Sequence, residues 1–360
     1  MSKKKKILFI LIASFLSGML SFVFCEIVFR LLLFGNVSFM QKFRDPKLYG
    51  DWASDADDDC WLLGHRFEKF PPPQKTHPIL GWSRNLAHDS YLHRFAAEAG
   101  TRQSVLLYGD SFAKCEGLPE EKCFEGILNQ DEEFSRDHFL LNYGAGGYGM
   151  DQIYLLFKNS IDLYENPFVV MSLMTLDMDR VVLSVRGGQK PYLELIDGGL
   201  ELRGVPIDPD SEHFFRTRKP RIPSYLWRLF LHGNVLPQKW HDSLIGTKEK
   251  QEKKIAINRK ILEEIHNKLE DKKIPYVFAV FHPYWAIEQG DNWRDDFLRN
   301  FLEENRIPYI WAKDIISNDI QTNHKKLDEY FLQGGGHPNS YQYQIVAKEI
   351  KKYVLQPNAF

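Results

Sequence analysis

The chain has 360 residues, of which 44% are hydrophobic and 26% are charged, and its formal net charge at pH 7 is −2. This composition excludes a disordered or collagen-like chain and is typical of a globular protein with one large domain or two modest ones. Lysine and arginine form no aromatic-interleaved stripe beyond the N-terminus, so the sequence does not favour a nucleic-acid partner.

The N-terminal segment has the pattern of a membrane anchor. Lysines occupy positions 3–6, and the run from Ile7 to Phe24 contains no charged residue. At 1.5 Å per residue, such a run is about long enough to cross the hydrocarbon core of a bilayer. The preceding lysines predict a cytoplasmic N-terminus, with everything after about residue 35 periplasmic or extracellular. A cleavable signal peptide has the same basic-then-apolar order, but no small-x-small cleavage site follows this run, so an uncleaved single-pass anchor over residues 1–35 is favoured.

Residues 36–103 are predicted to be a linker that becomes a packed N-terminal arm. The segment is polar and contains an aspartate-rich stretch at 53–59 and a proline-rich stretch at 70–74. The apolar HPILGW sequence at 77–82 marks the arm.

Cys115 and Cys123 flank a short loop. An exported domain permits a disulfide between them, and two free thiols are the alternative. No cysteine or histidine spacing typical of a metal site occurs in the chain, so no metal is predicted.

From residue 104 onward, short apolar runs alternate with amphipathic stretches. The alternation predicts an α/β domain over 104–360 with a central parallel sheet covered by helices on both faces. An insertion is predicted over about 183–245, with a hairpin at Asp197-Gly198-Gly199 and an amphipathic aromatic segment after it. The predicted strands are SVLLYG at 104–109, FLLNYG at 139–144, PFVVMSLM at 167–174, KIPYVFAVF at 273–281 and RIPYIWA at 306–312.

Polar residues follow the first three predicted strands. Ser111 follows the first, Asn142 ends the second and Asp177 follows the third. Because the carboxyl ends of parallel strands meet at one edge of a sheet, this edge is the expected ligand site. A serine there, at the start of a helix, offers a hydroxyl nucleophile together with a backbone N–H and the helix dipole for a developing oxyanion. The glycine-rich turn containing Gly147 lets a second N–H approach without an intervening side chain.

A serine hydroxyl needs a base to act as a nucleophile. His337 is the favoured base among the twelve histidines, because its GGGHPN loop directly precedes a C-terminal amphipathic helix and can carry the imidazole over the sheet edge.

Three short motifs resemble the conserved blocks of the SGNH/GDSL hydrolases. These are GDSF at 109–112, NYGAGGYG at 142–149 and HPN at 337–339, and the resemblance spans about residues 104–352. The HPILGW arm and the insertion resemble a membrane-anchored bacterial branch of that family. The resemblance implies a three-layer, flavodoxin-like α/β/α fold and serine esterase activity without a metal or organic cofactor. It also implies Ser111 as nucleophile, His337 as base and the N–H groups of Ser111 and Gly147 as oxyanion donors. Apart from the resemblance, Asp110, Asn142 and Asp177 are expected to support the site, with Asp110 and Asp177 capping and bracing the loops around it.

The sequence departs from the family pattern at two positions. Leu176 stands where the third block usually has an asparagine that donates to the oxyanion, and such a donor is worth about 3–4 kcal/mol. Gly334 stands where the last block has an aspartate three residues before the histidine, and that carboxylate orients the imidazole. The candidates to replace it are a backbone carbonyl or the side chains of Asp177, Asp179 and Asp328.

The expected function is therefore an extracytoplasmic serine ester hydrolase that removes acyl groups, most plausibly acetyl, from a carbohydrate or lipid ester of the cell envelope. The partners are that acylated glycan or lipid and the membrane. Two alternatives remain open: an O-acyltransferase that uses the same acyl-enzyme, and a catalytically degenerate scaffold of this fold that binds a glycan.

Overall fold

A computed structural model describes residues 2–35, 37–50, 57–69, 71–73, 75–82, 99–233, 237–334 and 336–356. Positions 53–56 of the aspartate-rich stretch, positions 70 and 74 of the proline-rich stretch and Gly335 of the GGGHPN loop lie outside the described residues. The chain divides into two compact units. The anchor unit comprises residues 1–53, 57–71 and 215–248, and the sheet unit comprises residues 54–56, 72–214 and 249–360.

The sheet unit is built on a five-stranded parallel sheet. Its strands are β1 (Gln103–Tyr108), β2 (His138–Asn142), β3 (Phe168–Met174), β4 (Tyr276–Phe281) and β5 (Tyr309–Trp311). They run in the order β2-β1-β3-β4-β5, which is the strand order of flavodoxin-like folds. The predicted α/β class with a central parallel sheet is confirmed.

Alternation along the strands produces a hydrophobic core on each face of the sheet. In β1, Leu106 and Tyr108 belong to the first core, whereas Val105 and Leu107 belong to the second. All residues of β3 and β4 are buried, as expected for strands covered on both faces. The result is a three-layer α/β/α arrangement.

Helices cover both faces and connect the strands. The helices of the described residues are α1 (Lys3–Phe34), α2 (Asp58–Arg66), α3 (Phe124–Asn129), α4 (Glu132–Asp137), α5 (Met150–Ser160), α6 (Ser211–Thr217), α7 (Tyr225–His232), α8 (Gln238–Ile245), α9 (Thr247–Asp271), α10 (Tyr284–Glu288), α11 (Trp293–Glu304), α12 (Ala312–Asn323) and α13 (Ser340–Leu355). Of these, α5, α9 and α11 contribute to the first core, and α3 and α13 contribute to the second.

Two antiparallel hairpins lie outside the main sheet. The first pairs Thr76–His77 with Gly81–Trp82 within the HPILGW arm. The second pairs Tyr192–Ile196 with Gly199–Arg203 and confirms the predicted turn, where Asp197 and Gly198 both have positive φ.

The anchor unit contains one helix, α1, that is long and apolar enough to cross a membrane, with a mean hydropathy of 2.5 over 18 residues and no burial in that window. Residues that the sequence assigned to an irregular linker form α2 and short 3-10 helices, because Met40, Tyr49 and Leu63 pack with Leu33 into a small core. Tyr225 joins the same core, so the second half of the predicted insertion belongs to this unit.

Candidate active site

The candidate nucleophile Ser111 lies on a loop directly after β1. Asp110 shapes this loop, because its Oδ1 accepts from the N–H of Phe112 at 2.8 Å and its carbonyl accepts from the N–H of Lys114 at 3.0 Å. The expectation that a helix begins at Ser111 is wrong. Residues 111–117 form successive turns, Cys115 has a φ of 54°, and the next α-helix begins at Phe124. The dipole contribution at Ser111 is thus limited to that of a single turn.

The loop before α13 brings His337 to Ser111. His337 Nε2 lies 2.9 Å from Ser111 Oγ, which is hydrogen-bond distance for a nucleophile and its base. The ring of Phe112 lies against the imidazole, with centroids 5.4 Å apart. Ser111 is 7% exposed, so its hydroxyl is mostly buried but the residue is not sealed from solvent.

Hydrogen bonds around Asn339 hold His337 in place. The carbonyl of His337 accepts from the N–H of Leu332 at 2.8 Å, and the N–H of Asn339 donates to the carbonyl of Tyr330 at 2.9 Å. Asn339 Oδ1 then caps α13 by accepting from the N–H of Tyr341 at 3.0 Å. The HPN motif therefore fixes the histidine loop to the start of the last helix.

Nδ1 of His337 has no hydrogen-bond partner among the described residues. Gly334, at the position of the family aspartate, has a φ of 96° and no described atom near the site of a Cβ. The three carboxylates considered as replacements bond elsewhere: Asp177 with Arg180 and Met174, Asp179 with Lys254 and Arg294, and Asp328 with Tyr284. Among the described residues, Ser111 and His337 therefore form a hydrogen-bonded pair without a third, orienting carboxylate.

The turn after β2 supplies the second predicted oxyanion donor. Gly147 has a φ of 78°, which favours glycine. No described residue accepts a hydrogen bond from the N–H of Ser111 or of Gly147. Both N–H groups are thus without a protein acceptor in the described part of the chain.

Asn142 ties the turn after β2 to the nucleophile loop. Its Oδ1 accepts from the N–H of Gly144 at 2.8 Å, and its Nδ2 donates to the carbonyl of Ala113 at 2.8 Å. The two loops meet backbone to backbone, because a Cβ on Gly144 would lie 2.3 Å from the amide nitrogen of Lys114. A side chain at 144 would push the two loops apart.

Arg180 joins three segments of the site, and the sequence analysis did not single it out. Its Nη1 donates to Asp177 Oδ1 at 2.5 Å, to Asp110 Oδ2 at 3.3 Å and to the carbonyl of Tyr148 at 2.8 Å. Burial and the neighbouring Asp110 carboxylate raise the pKa of Asp177, and the Arg180 guanidinium opposes this rise. The sequence signal for this role of Arg180 is its position three residues after Asp177, which allows the two side chains to pair. Its contact with Asp110 depends on the fold and has no local sequence signal.

Two further residues hold the glycine-rich turn from its other side. Arg186 Nη1 donates to the carbonyl of Gly147 at 3.0 Å, and Trp82 Nε1 donates to the carbonyl of Gly146 at 2.8 Å. The HPILGW arm therefore packs against the turn that carries Gly147. The sequence predicted the arm but not this contact.

Leu176 follows β3, where the family pattern has its asparagine. Its side chain is partly buried against the second core and has no hydrogen-bond donor. Position 176 therefore supplies no side-chain donor that would supplement the two backbone N–H groups predicted to bind the oxyanion.

Cys115 and Cys123 are free thiols in the structure, and both are buried. Their sulfur atoms and a carboxylate oxygen of Glu125 lie within 4.8 Å of one another. Burial raises the pKa of Cys115 well above its usual value, so this thiol stays protonated. Glu125 Oε2 already accepts from Asn142 Nδ2 at 2.6 Å, which gives the carboxylate a structural role next to the site.

We expect Gly147→Ala to destabilise the protein and to reduce any activity that uses the Gly147 N–H. A Cβ there would lie 2.2 Å from Arg186 Nη1, so this guanidinium would have to move away from the Gly147 carbonyl to which it donates, and the positive φ adds about 1–2 kcal/mol of strain. Gly198→Ala is the matched control, since Gly198 has a φ of 79° and no described atom within 4 Å of its Cβ site. Thermal unfolding and ester hydrolysis would be measured for both variants. If Gly147→Ala lost no more stability and no more activity than Gly198→Ala, the role assigned to Gly147 would be contradicted.

Comparison with known proteins adds similarity but no family assignment. No protein-family model matches the sequence, and no curated protein matches it. A solved lipolytic protein of the G-D-S-L family from Veillonella parvula is 11% identical, with a TM-score of 0.41 and coverage of 71% of this chain and 99% of that one. An acetyl xylan esterase has 16% identity, a TM-score of 0.40 and coverage of 70% and 99%. A lipase/acylhydrolase from Enterococcus faecalis has 13% identity, a TM-score of 0.37 and coverage of 69% and 96%. These values are too low to show more than the sheet topology already does.

Proposed function

We propose that the protein is a membrane-anchored serine ester hydrolase of the SGNH/GDSL type. The observation that carries the proposal is the 2.9 Å approach of His337 Nε2 to Ser111 Oγ at the carboxyl edge of the sheet. The N–H groups of Ser111 and Gly147, which have no acceptor among the described residues, lie on the loops that meet there.

The mechanism follows from these groups. His337 Nε2 takes the proton of Ser111 as Oγ attacks the ester carbonyl, and the N–H groups of Ser111 and Gly147 bind the oxyanion of the tetrahedral intermediate. Collapse of the intermediate expels the alcohol, which receives the proton from His337. Water then attacks the acyl-enzyme with His337 again as base, which releases the carboxylic acid and restores the serine.

We place the substrate outside the cytoplasm, as an acyl ester of an envelope carbohydrate or lipid, with acetyl the most compatible group. The apolar α1 preceded by lysines supports an anchored chain whose sheet unit lies on the far side of the membrane. The mostly buried Ser111 hydroxyl and the partial oxyanion hole favour a small acyl group on an activated ester.

The test is covalent labelling of the full chain with a fluorophosphonate, located by mass spectrometry. We expect one adduct on Ser111 that is lost in Ser111→Ala. Ser172→Ala is the matched control, because Ser172 lies in β3 beneath Gly109 and its buried hydroxyl has no partner among the described residues. Labelling that survives in Ser111→Ala would contradict the proposal.

A second candidate is a non-catalytic scaffold that binds a glycan. It is favoured by Leu176 in place of a donor and by the lack of a described carboxylate on Nδ1 of His337. Equal behaviour of wild type and Ser111→Ala towards both an aryl acetate and the fluorophosphonate would select this candidate.

A further inference from the structure

The first charged residues after the apolar run of α1 mark where the helix would leave the bilayer. Ile7 to Cys25 is an uncharged run of 19 residues, which corresponds to roughly 28 Å of helix and matches the thickness of a hydrocarbon core. Glu26 and Arg30 follow it, and Arg30 Nε donates to Glu26 Oε1 at 2.5 Å. Glu26 therefore lies at the expected membrane boundary.

The first turn of α7 is attached to this boundary. Glu26 accepts from Ser224 Oγ at 2.8 Å, from the N–H of Tyr225 at 2.9 Å and from the N–H of Leu226 at 3.0 Å. Arg30 Nη2 donates to the carbonyl of Pro223 at 2.6 Å. The start of α7 is thus fixed at the depth of Glu26.

The outer face of α7 is aromatic and exposed. Trp227 and Phe230 are 47% and 40% exposed, and their rings stack with centroids 5.6 Å apart. The opposite face is buried, since Tyr225 packs against Phe34 and Tyr49 with centroids 5.3 and 5.5 Å apart. The side chains of Trp227 and Phe230 are therefore not part of the core of the anchor unit.

Exposed aromatic side chains are concentrated in this unit. Outside α1, the described residues expose five phenylalanine or tryptophan side chains, and four of these belong to the anchor unit although it is the smaller one: Phe39, Trp227, Phe230 and Trp240. Of these four, Trp227 and Phe230 are in contact, and an exposed apolar pair of this kind is typical of a surface that meets another phase or partner.

A basic segment leads into α7. Residues 216–221 contain four exposed cations and no acidic residue, namely Arg216, Arg218, Lys219 and Arg221. The segment ends one residue before Ile222, whose carbonyl accepts from Arg30 Nη2 at 3.0 Å. Asp59 lies at the end of the segment, since its Oδ1 accepts from the N–H of Arg221 at 2.7 Å. The four cations outnumber this carboxylate and are close to the depth of the headgroups, so they complement anionic lipid.

We propose that this surface, formed by Trp227, Phe230 and the basic segment 216–221, lies in the bilayer interface and binds anionic lipid headgroups. The aromatic rings insert at the boundary between headgroups and acyl chains, as amphipathic interfacial helices do, and the cations contact the lipid phosphates. The anchor unit is thereby held on the membrane surface in addition to being tethered by α1. The inference rests on the proposed anchor and is independent of the proposed hydrolase activity.

The test uses the full chain in nanodiscs of phosphatidylcholine containing phosphatidylglycerol. In a Cys25→Ser background, Phe230→Cys carries an environment-sensitive fluorophore, and lipids spin-labelled near the acyl carbonyl act as quenchers. Lys47→Cys is the control in the same unit, because residue 47 is expected to lie farther from the bilayer than residue 230. The nearby Arg44 Nε donates to the carbonyl of Leu33, which is seven residues beyond Glu26 on α1. We expect roughly threefold stronger quenching at 230 than at 47. Quenching at 230 no stronger than at 47 would overturn the proposal and leave the face to a protein or glycan partner.

Charge reversal tests the headgroup contact. We expect Arg218→Glu combined with Lys219→Glu to reduce the quenching at 230 roughly twofold in anionic nanodiscs and to leave it unchanged in pure phosphatidylcholine. No change in the anionic discs would overturn the lipid-phosphate contact.

The two proposals fail separately. Chain that does not co-elute with the discs would overturn the anchor and this surface together. Ser111→Ala should leave the quenching at 230 unchanged. A failure of fluorophosphonate labelling would therefore overturn the proposed hydrolase activity without affecting the proposed lipid-binding surface.

Discussion

Replacing His337 by glutamine is expected to lower kcat/KM for an aryl acetate by about 10²–10⁴-fold, the range in which a general base contributes. Glutamine keeps a polar group near Ser111 Oγ, 2.9 Å from Nε2 in the wild type, but it cannot take the proton. The measurement is steady-state hydrolysis by the full chain in detergent.

Asn339→Ala is the companion variant, because Asn339 positions the histidine loop without touching the hydroxyl. We expect a smaller loss than for His337→Gln. A His337→Gln variant that retained more than about a tenth of the wild-type kcat/KM would show that His337 is not the base.

Arg180→Met is expected to cause the largest loss of stability. It leaves Asp110 and Asp177, both fully buried, without the guanidinium that pairs with them. Removing one partner of a buried ionic group costs about 3–5 kcal/mol, which corresponds to a fall in Tm of roughly 10 °C. Thermal unfolding of the full chain would measure it.

The pH dependence of this loss has a definite sign. The pKa of Asp177 is raised by burial first and by Asp110 second. Between the unfolded and the folded pKa, the folded state holds more protons, so stability falls as the pH rises through that window. Without Arg180 the pKa rises further, and the deficit of Arg180→Met should therefore be larger at pH 8 than at pH 5.

A second substitution provides the control for Arg180→Met. Combining it with Asp177→Asn removes one of the two uncompensated carboxylates and should recover part of the lost stability. A double variant no more stable than Arg180→Met at pH 8 would show that the charges do not cause the loss.

Local patterns in the sequence were enough to predict the sheet and to select Ser111 and His337, which the fold brings into hydrogen-bond distance at the candidate site. Buried apolar runs such as that of β3 predict strands, and the positions of Ser111 and Gly147 after their strands follow from the connection rules of parallel sheets. His337 could be chosen because its loop precedes a recognisable amphipathic helix.

The remaining features depend on contacts that no local pattern encodes. Arg180 meets Asp110 across 70 positions of the chain, and Trp82 reaches Gly146 across 64. The prediction of a helix at Ser111 is wrong because Cys115 takes a left-handed conformation that ends the turn. The absence of a local apolar period in residues 36–71 likewise concealed a packed segment, whose core forms with Tyr225 from much later in the chain.

The two loops of the candidate site, the one that carries Ser111 and the glycine-rich turn, pack into different hydrophobic cores. Phe112 and Ala113, beside the serine, belong to the core on one face of the sheet, whereas Tyr148 and Met150, beside the glycine-rich turn, belong to the core on the other. Repacking one layer can therefore shift the loop on its own side while the other loop keeps its support. If the proposed hydrolase activity holds, such a division would let substrate preference evolve by apolar substitutions remote from Ser111 and His337, one side at a time.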